Sequence, residues 1–157
     1  MSNIILYKPL LKELDFRQKL MSDEKTMAYN HAYGGTIPFP KECWSEWYKK
    51  WIEDTSGKRF YRYIWSIEQT QFVGDVAYHY DENRGCYMCD VVICDEYRGK
   101  GFGRQGLLFL CNEAKRRNVP CLYDDIAGDN SSIELFFKAG FVETARNHKY
   151  ITVKKTL

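Results

Sequence analysis

The chain has 157 residues, of which 45% are hydrophobic and 28% are charged. This is the size of one folded domain with ordinary globular composition, and it excludes a disordered or fibrous protein. The net charge of +2 and the spread of lysine and arginine along the sequence do not indicate binding to nucleic acid or to an acidic membrane surface. No apolar run approaches the ~20 residues of a membrane span, and no signal peptide is recognised. We expect a single domain over residues 1–157 and a cytoplasmic location.

The hydrophobic pattern predicts strands and helices in a mixed order. Short apolar runs between polar turns predict strands, and apolar residues three and four positions apart predict helices. The runs 60–67 and 72–80 lie close enough in sequence to pair as a hairpin. The expected strands are 4–7, 60–67, 72–80, 87–93, 121–126 and 150–154, and the expected helices are 10–21, the segment after a glycine-rich stretch that begins at 98, and a short segment after residue 130.

The six cysteines include one Cys-x-x-Cys pair, Cys86 and Cys89. Both lie in an expected strand, where residues three apart point to opposite faces, so the two thiols are poorly placed to share a metal or to form a disulfide. The sequence has no second such pair and no closely spaced pair of histidines to complete a zinc site. We expect reduced, mostly buried thiols and no metal.

The glycine-rich segment 98–106, Arg-Gly-Lys-Gly-Phe-Gly-Arg-Gln-Gly, lies between an expected strand and an expected helix. Its glycines allow a tight turn and a close approach of the backbone to a ligand. The free amides of the first helical turn carry the positive end of the helix dipole, and the side chains of Arg98, Lys100 and Arg104 add positive charge. These features predict a phosphate-binding loop.

Two kinds of protein use such a loop. Residues 101–106 fit the dinucleotide-binding fingerprint, and Asp124 or Asp125 follows at about the distance at which an acidic side chain holds a ribose. Residues 98–103 also resemble the acetyl-CoA pyrophosphate loop, Arg-x-x-Gly-x-Gly, of the GNAT superfamily of N-acyltransferases. Charged residues separate the strand from the loop, and the loop begins beyond the middle of the chain. Both facts favour the GNAT interpretation over a Rossmann turn.

A second segment, residues 129–141, resembles the other GNAT signature, which runs from an asparagine through a short helix to Lys-x-Gly-Phe. Asn130 or Asp129 can cap this helix, and Gly140 can end it in the left-handed conformation. Counting back from Gly140 places the family's asparagine at Asp129, one residue before Asn130, and we favour Asn130. Two such segments in the correct order identify the chain as similar to GNAT acyltransferases.

The resemblance implies an α/β (α+β) fold with a mixed central sheet of about six or seven strands, flanked by helices and splayed open at the acyl-CoA cleft. It also implies that acetyl-CoA binds as an extra strand against exposed amides of the strand before the loop. In the family the helix of the second signature flanks the pantetheine arm. The expected cofactor-binding residues are Val91, Val92, Ile93, Arg98, Gly99, Lys100, Gly101, Phe102, Gly103, Arg104, Asn130 and Phe136.

Family chemistry is direct attack of an amine on the thioester, which requires a base and donors for the oxyanion. Asp90 lies inside an apolar strand, and Asp125 lies near the end of the neighbouring strand. Desolvation raises the pKa of such carboxylates, so both are candidate catalytic bases. His79 and Tyr80 are alternatives. The oxyanion donor is expected to be a main-chain amide near Ile93.

Phe136 stands where many family members carry a tyrosine that protonates the departing thiolate. That role of general acid therefore does not carry over to this position. Tyr123 or a water molecule is the substitute suggested by the sequence.

The segment 29–40 differs most from the family pattern and is expected to select the acceptor. Tyr29, His31 and Tyr33 are the candidate substrate-binding residues. After it, tryptophans at positions 44, 47 and 51 share one face of an expected helix. They form either a satellite core under the loop or an aromatic wall for an apolar or cationic acceptor.

The sequence thus predicts an acetyl-CoA-dependent N-acetyltransferase that acts on a primary amine, first of all a small molecule, without metal or nucleic acid. A peptide N-terminus or a protein lysine is a second possible acceptor. A non-catalytic acyl-CoA sensor is the first alternative, which the missing tyrosine supports, and an NAD-binding oxidoreductase is the second. The resemblance also allows a homodimer.

Overall fold

A computed structural model describes residues 3–157. Within them, seven strands form one sheet in the order β1-β2-β3-β4-β5-β7-β6, with helices packed against it. This architecture confirms the predicted mixed α/β fold. The strands are β1 Ile4–Tyr7, β2 Arg59–Ser66, β3 Gln71–Asp81, β4 Cys86–Ile93, β5 Cys121–Ala127, β6 Val142–Arg146 and β7 Tyr150–Thr156. The α-helices are α1 Asp15–Ser22, α2 Trp44–Trp51, α3 Phe102–Arg116 and α4 Ile133–Lys138, and the 3₁₀ segments are Leu11–Leu14, Thr26–Tyr33, Lys41–Cys43 and Asp95–Tyr97.

The sheet opens between β4 and β5, which are parallel and joined through α3. Along their described length, Met88 of β4 and Tyr123 of β5 form the one bridging pair. By contrast, β3 and β4 pair continuously from Gly74 with Ile93 to Asp81 with Cys86. Beyond Met88, β4 therefore turns an edge toward the gap that β5 does not cover, as predicted for the splayed cleft.

Helix α3 packs closely on the sheet because a glycine lies at the contact. A Cβ atom at Gly106 would be 2.6 Å from Cδ1 of Ile64, closer than real Cβ contacts allow. The apolar spacing that predicts the helix matches its buried face, which is formed by Phe102, Leu107, Leu110, Cys111 and Ala114. This packing holds the start of α3 rigidly at the end of β4.

The predicted segment boundaries agree with the observed ones to within a few residues, with two informative differences. The predicted helix 10–21 begins as a 3₁₀ turn, because the Glu13 carboxylate accepts the amide of Leu10 at 2.8 Å and the hydroxyl of Tyr7 at 2.8 Å. Strand β6 has no distinct apolar pattern, since all five of its residues are exposed. Its backbone pairing with β7, rather than burial, determines its structure.

The tryptophans of α2 support the satellite-core interpretation. Trp44 is buried, and the Trp47 ring lies 6.0 Å from that of Trp51 and 4.7 Å from that of Tyr61. None of the three tryptophans lines the cleft described below.

The cysteines are free thiols, of which Cys89 and Cys111 are buried and Cys43 is exposed. The prediction of mostly buried thiols therefore holds only in part. Over residues 3–157, no group of three or more His, Cys, Asp or Glu side chains is arranged to hold a metal. In the same range, no helix is both long and apolar enough to cross a membrane.

Candidate functional site

A cavity of about 810 Å³ occupies the gap between β4 and β5. Its walls come from the end of β4, the glycine-rich segment, the end of β5, α4 and the 3₁₀ segment near residue 30. Its lining includes Tyr29, Tyr33, Ile37, Asp90, Val91, Val92, Ile93, Arg98, Gly99, Gly101, Phe102, Gly103, Arg104, Asp124, Asp125, Asn130 and Phe136. All predicted cofactor-binding residues except Lys100 therefore line one cavity. Of the predicted substrate-binding residues, Tyr29 and Tyr33 line it and His31 does not.

The glycine-rich segment turns sharply into α3. Gly99 and Gly101 have φ angles of +77° and +86°, a left-handed conformation that glycine adopts without strain. The amide of Gln105 donates to the Gly101 carbonyl at 3.1 Å. The amides before it, at the first turn of α3, have no partner within the helix. They and the guanidinium of Arg104 make this end of the cavity electropositive.

Arg98 connects the glycine-rich segment to the segment Thr26–Tyr33. Its guanidinium donates to the Thr26 carbonyl at 2.7 Å and lies 3.4 Å from the Asp95 carboxylate. The amide of Asp95 donates to the Thr26 hydroxyl at 3.0 Å. Arg98 thus lines the cavity and also joins the loop to the segment Thr26–Tyr33.

Gly103 serves packing as well as ligand access. A Cβ atom there would lie 2.6 Å from Cδ1 of Leu135 and 3.5 Å from Cγ1 of Ile93. The glycine therefore allows α3 to approach α4, a requirement that the loop motif alone does not reveal.

The second signature forms α4 and its flanks. The Asn130 side chain accepts the amide of Ser132 at 3.0 Å in the turn before the helix. The N-cap residue of α4 is Ser132, without a side-chain cap, so the prediction that Asn130 or Asp129 caps this helix is wrong. Gly140, with φ of +96°, ends it in the predicted left-handed conformation. Phe136 is buried and packs edge-on against Phe141, with ring centroids 5.0 Å apart.

Asp129 serves a different purpose from Asn130. Its carboxylate lies 3.1 Å from Nε2 of His31, and both side chains are exposed. This contact joins the segment Thr26–Tyr33 to the loop before α4. His31 is thereby held beside the cavity, whereas Tyr29 and Tyr33 lie in its wall.

Asp90 and Asp124 are the carboxylates most affected by their surroundings. Asp90 is open to the cavity, but the surrounding walls reduce its hydration and raise its pKa to about 7, with a further contribution from the charge of Asp75 and an opposing one from Arg17. Burial and the charge of Asp90 raise the pKa of Asp124 well above its usual range. At neutral pH, Asp90 is therefore poised between its protonated and ionised forms.

Asp125 is held differently. Arg84 forms an ion pair with its carboxylate, and the Thr152 hydroxyl donates to it at 2.7 Å. Its oxygens are thus already engaged by a cation and a hydroxyl, although it lines the same cavity. The geometry consequently favours Asp90 over Asp125 as a group that takes up a proton.

The other candidates for proton transfer lie outside the cavity lining. The His79 ring packs 5.9 Å from the Trp51 ring, and burial lowers its pKa. The Tyr123 ring lies 5.6 Å from the Lys154 ammonium. Tyr80 contacts Tyr87, with ring centroids 5.1 Å apart. These contacts are those of ordinary residues on the faces of strands.

Sequence reasoning missed Asp75, Tyr61 and Arg17, which lie behind Asp90. Asp75 is 2% exposed, accepts a hydrogen bond from the Tyr61 hydroxyl and lies 3.8 Å from a guanidinium nitrogen of Arg17. A carboxylate inside an otherwise apolar predicted strand is the same signal that identified Asp90, so Asp75 was detectable. Arg17 gave no signal, because a single arginine on an expected helix is ordinary.

The sequence model of the GNAT acetyltransferase family matches residues 19–141. No curated protein sequence matched the chain. Among solved structures, spermidine N-acetyltransferase from Vibrio cholerae in complex with CoA and spermine superposes with a TM-score of 0.77 at 22% identity, covering 98% of this chain and 94% of that one. A domain from Methanocaldococcus jannaschii gives 0.77 at 21% identity, covering 100% of both chains. A ribosomal-protein-alanine N-acetyltransferase from Brucella melitensis gives 0.74 at 21% identity, covering 98% of this chain and 99% of that one.

These structural similarities concern the fold, while the sequence match includes both signatures, residues 98–106 and 129–141. The family match favours the acetyltransferase interpretation of the glycine-rich segment over that of a dinucleotide-binding turn. The chain belongs to the GNAT family of acetyltransferases.

Proposed function

We propose that the protein transfers an acetyl group from acetyl-CoA to a primary amine of a small molecule, by direct attack within a ternary complex. One observation carries this proposal. A single cavity joins an electropositive helix N-terminus to carboxylates in the gap of the sheet. The first feature suits the pyrophosphate of CoA, and the second suits an amine that arrives as an ammonium ion.

The walls of the cavity fit acetyl-CoA. The amides at the start of α3, with Arg104, provide donors for the pyrophosphate. The edge of β4 near Val91 and Ile93 is left uncovered by β5, so the pantetheine arm can pair with it as an extra strand. Asn130 and Phe136 line the same cavity. A main-chain amide near Ile93 is then close enough to steady the oxyanion of the tetrahedral intermediate.

Asp90 is the base in this mechanism. The acceptor must lose a proton from its ammonium group before nitrogen can attack the thioester. An ionised Asp90 accepts this proton, and its raised pKa makes it a stronger base than an ordinary carboxylate. The raised pKa of Asp124 favours its neutral form, and the carboxylate of Asp125 is paired with Arg84, so Asp90 is the carboxylate left to attract the ammonium.

The departing thiolate needs a donor other than Phe136, and Tyr29 is suitably placed. Tyr29 lines the cavity, and burial and the charge of Asp90 raise the pKa of its phenol. The phenol is protonated at neutral pH and can donate a hydrogen bond to the thiolate, although its raised pKa opposes complete transfer of the proton. A water molecule is the alternative donor.

The acceptor end favours a small cationic amine. Tyr29, Tyr33 and Ile37 line the same cavity as Asp90, which combines aromatic surface with negative charge, as cation recognition requires. The Vibrio cholerae structure contains spermine, so polyamines are the first acceptors to test. The Brucella melitensis protein is named for a ribosomal-protein alanine, and peptides with a free N-terminus form the second group.

The test is free-thiol release from acetyl-CoA in the presence of an amine panel that includes polyamines, monoamines, aminoglycosides and peptides. We expect turnover with at least one small amine and an acetylated product of the corresponding mass. Asp90→Asn serves as the matched negative control. Binding of acetyl-CoA by calorimetry without turnover on any amine would instead favour the non-catalytic sensor.

A further inference from the structure

Asp75 and Asp90 lie on the same face of the sheet in neighbouring strands. In the antiparallel pairing of β3 with β4, Asp75 is opposite Val92, and Ala77 is opposite Asp90. Residues opposite each other share a face, as do residues two apart on one strand. The two aspartates are therefore diagonal neighbours, a relationship that places backbones roughly 7–8 Å apart.

The charge of Asp75 has few partners. Its carboxylate is almost completely buried, accepts the Tyr61 hydroxyl and pairs with Arg17. The Arg17 guanidinium in turn lies 4.8 Å from the ring centroid of Phe39, 4.6 Å from that of Trp47 and 5.4 Å from that of Tyr61. Among residues 3–157 its Nε finds no hydrogen-bond acceptor.

Stabilisation of the fold does not by itself explain the buried Arg17–Asp75 pair. A buried ion pair offsets its desolvation only when geometry is good and the remaining donors are satisfied. Here the nitrogen–oxygen distance is 3.8 Å, and one donor is unsatisfied. An apolar pair of similar volume would serve packing as well or better. The buried charges therefore call for an explanation beyond packing.

The charged groups around Asp90 come from each element packed against it. Asp75 faces it from β3, Arg17 from α1, Asp124 from β5 and Tyr29 from the segment Thr26–Tyr33. The buried thiol of Cys89 precedes it on its own strand. Burial raises the pKa of Asp75 to about 6, and the two carboxylates affect each other through their charges.

We propose that the Arg17–Asp75 pair is a positioning unit that sets the proton affinity of Asp90, and thereby the pH range in which Asp90 deprotonates the acceptor. Asp75 raises this affinity through its negative charge, and Arg17 limits the rise. The inference rests on the proposed function, because it assumes that Asp90 is the base. Asp75 itself exchanges no proton with the acceptor: the proton leaves the ammonium nitrogen and binds to Asp90.

The competing explanation is that the pair merely fastens α1 to the sheet. Tyr63 provides a control for this, because its hydroxyl accepts the amide of Arg17 at 3.2 Å and donates to the Glu13 carbonyl at 2.7 Å. Tyr63→Phe therefore loosens the same helix without removing a ligand of Asp75. Tyr61→Phe removes a buried phenol of the same size that does bind Asp75.

The first test compares pH profiles of kcat/KM. Asp75→Asn removes the neighbouring negative charge, so the acidic limb should move to lower pH by about one unit. Arg17→Gln removes the opposing positive charge and should move the limb to higher pH, whereas Arg17→Lys should leave it close to that of the wild type. Tyr61→Phe should shift the profile, and Tyr63→Phe should not. Loss of activity in all these variants without any shift would overturn the proposal.

The second test does not depend on turnover. The carboxyl carbon of Asp90, assigned by comparison with Asp90→Asn, is titrated by nuclear magnetic resonance in the wild type and in Asp75→Asn. We expect a lower pKa for Asp90 in the folded variant, by about one unit. An unchanged pKa in a folded Asp75→Asn protein would refute the inference. If instead no amine is acetylated but the pKa moves as expected, the proposed function fails while the electrostatic coupling stands.

Discussion

The pyrophosphate end of the cavity is built from one continuous segment, whereas the acceptor end is assembled from distant parts of the chain. Residues 98–104 contribute glycines, amides and basic side chains in a local turn. The acceptor end combines Tyr29, Asp90 and Asp125 from a 3₁₀ segment and two separate strands. A local turn needs a particular sequence to form, and it therefore leaves a motif. An assembled site depends on which strands become neighbours.

The largest expected effect concerns the acceptor end of the cavity. Asp90→Asn removes the base but leaves the pyrophosphate loop intact, so kcat should fall by about 10²-fold or more with the affinity for acetyl-CoA unchanged. Steady-state kinetics and calorimetry check the two quantities. Asp125→Asn is the matched comparison on the other side of the gap, and we expect a smaller loss because Asp125 is already paired with Arg84. Equal losses in both variants would mean that the two carboxylates act together.

The next prediction tests the packing role of Gly103 at the pyrophosphate end of the cavity. Gly103→Ala places a Cβ atom against the end of the Leu135 side chain, which must shift. Because alanine also favours the helix, the free energy of unfolding should fall by no more than about 1 kcal/mol. Denaturant unfolding measures this. Gly128→Ala, where a Cβ would meet nothing within 4 Å, is the control and should be nearly neutral. A Gly103→Ala protein of normal stability that fails to bind acetyl-CoA would assign the glycine to the ligand alone.

Charge at the pyrophosphate end of the cavity should affect the affinity for acetyl-CoA rather than the rate of acetyl transfer. Arg104→Glu reverses a charge in the cavity wall and should weaken acetyl-CoA binding by about tenfold, less so at high salt because the interaction is screened. Lys100→Glu makes the same change in the same segment but outside the lining, so its effect should be smaller. Titrations at low and high salt decide between them. Equal weakening would indicate general attraction rather than a specific contact.

The smallest effect is on the pH dependence of stability. Because the pKa of Asp90 is raised to about 7 in the folded protein, its contribution to stability is fully present below about pH 4 and is lost as the pH rises toward 7. Asp90→Asn removes this titration. Because Asp90 is open to the cavity, solvent reduces this effect, and the Tm of the variant should exceed that of the wild type by about one degree at pH 8, with a difference that shrinks toward pH 4. A difference independent of pH would show that Asp90 is not perturbed by folding.

The successful predictions depended on local sequence patterns. The periodicity of residues 102–116 and the left-handed Gly140 that ends α4 act within a few positions of each other, so the sequence contains their whole cause. Asp90 was recognisable as a charge in an apolar strand. His31 was placed by sequence among the acceptor residues, but its contact with Asp129, 98 positions away, holds it beside the cavity.

The sequence by itself determined the family, the order of the elements and the position of the glycine-rich turn, because each depends on neighbouring residues. Only the tertiary structure distinguished Asp90, the base that we propose, from Asp125. Arg84 neutralises Asp125 across the gap, and Asp75 adds its charge to Asp90 through strand pairing. A proton affinity depends on charges and burial within several ångströms, and those distances exist only after the strands have come together.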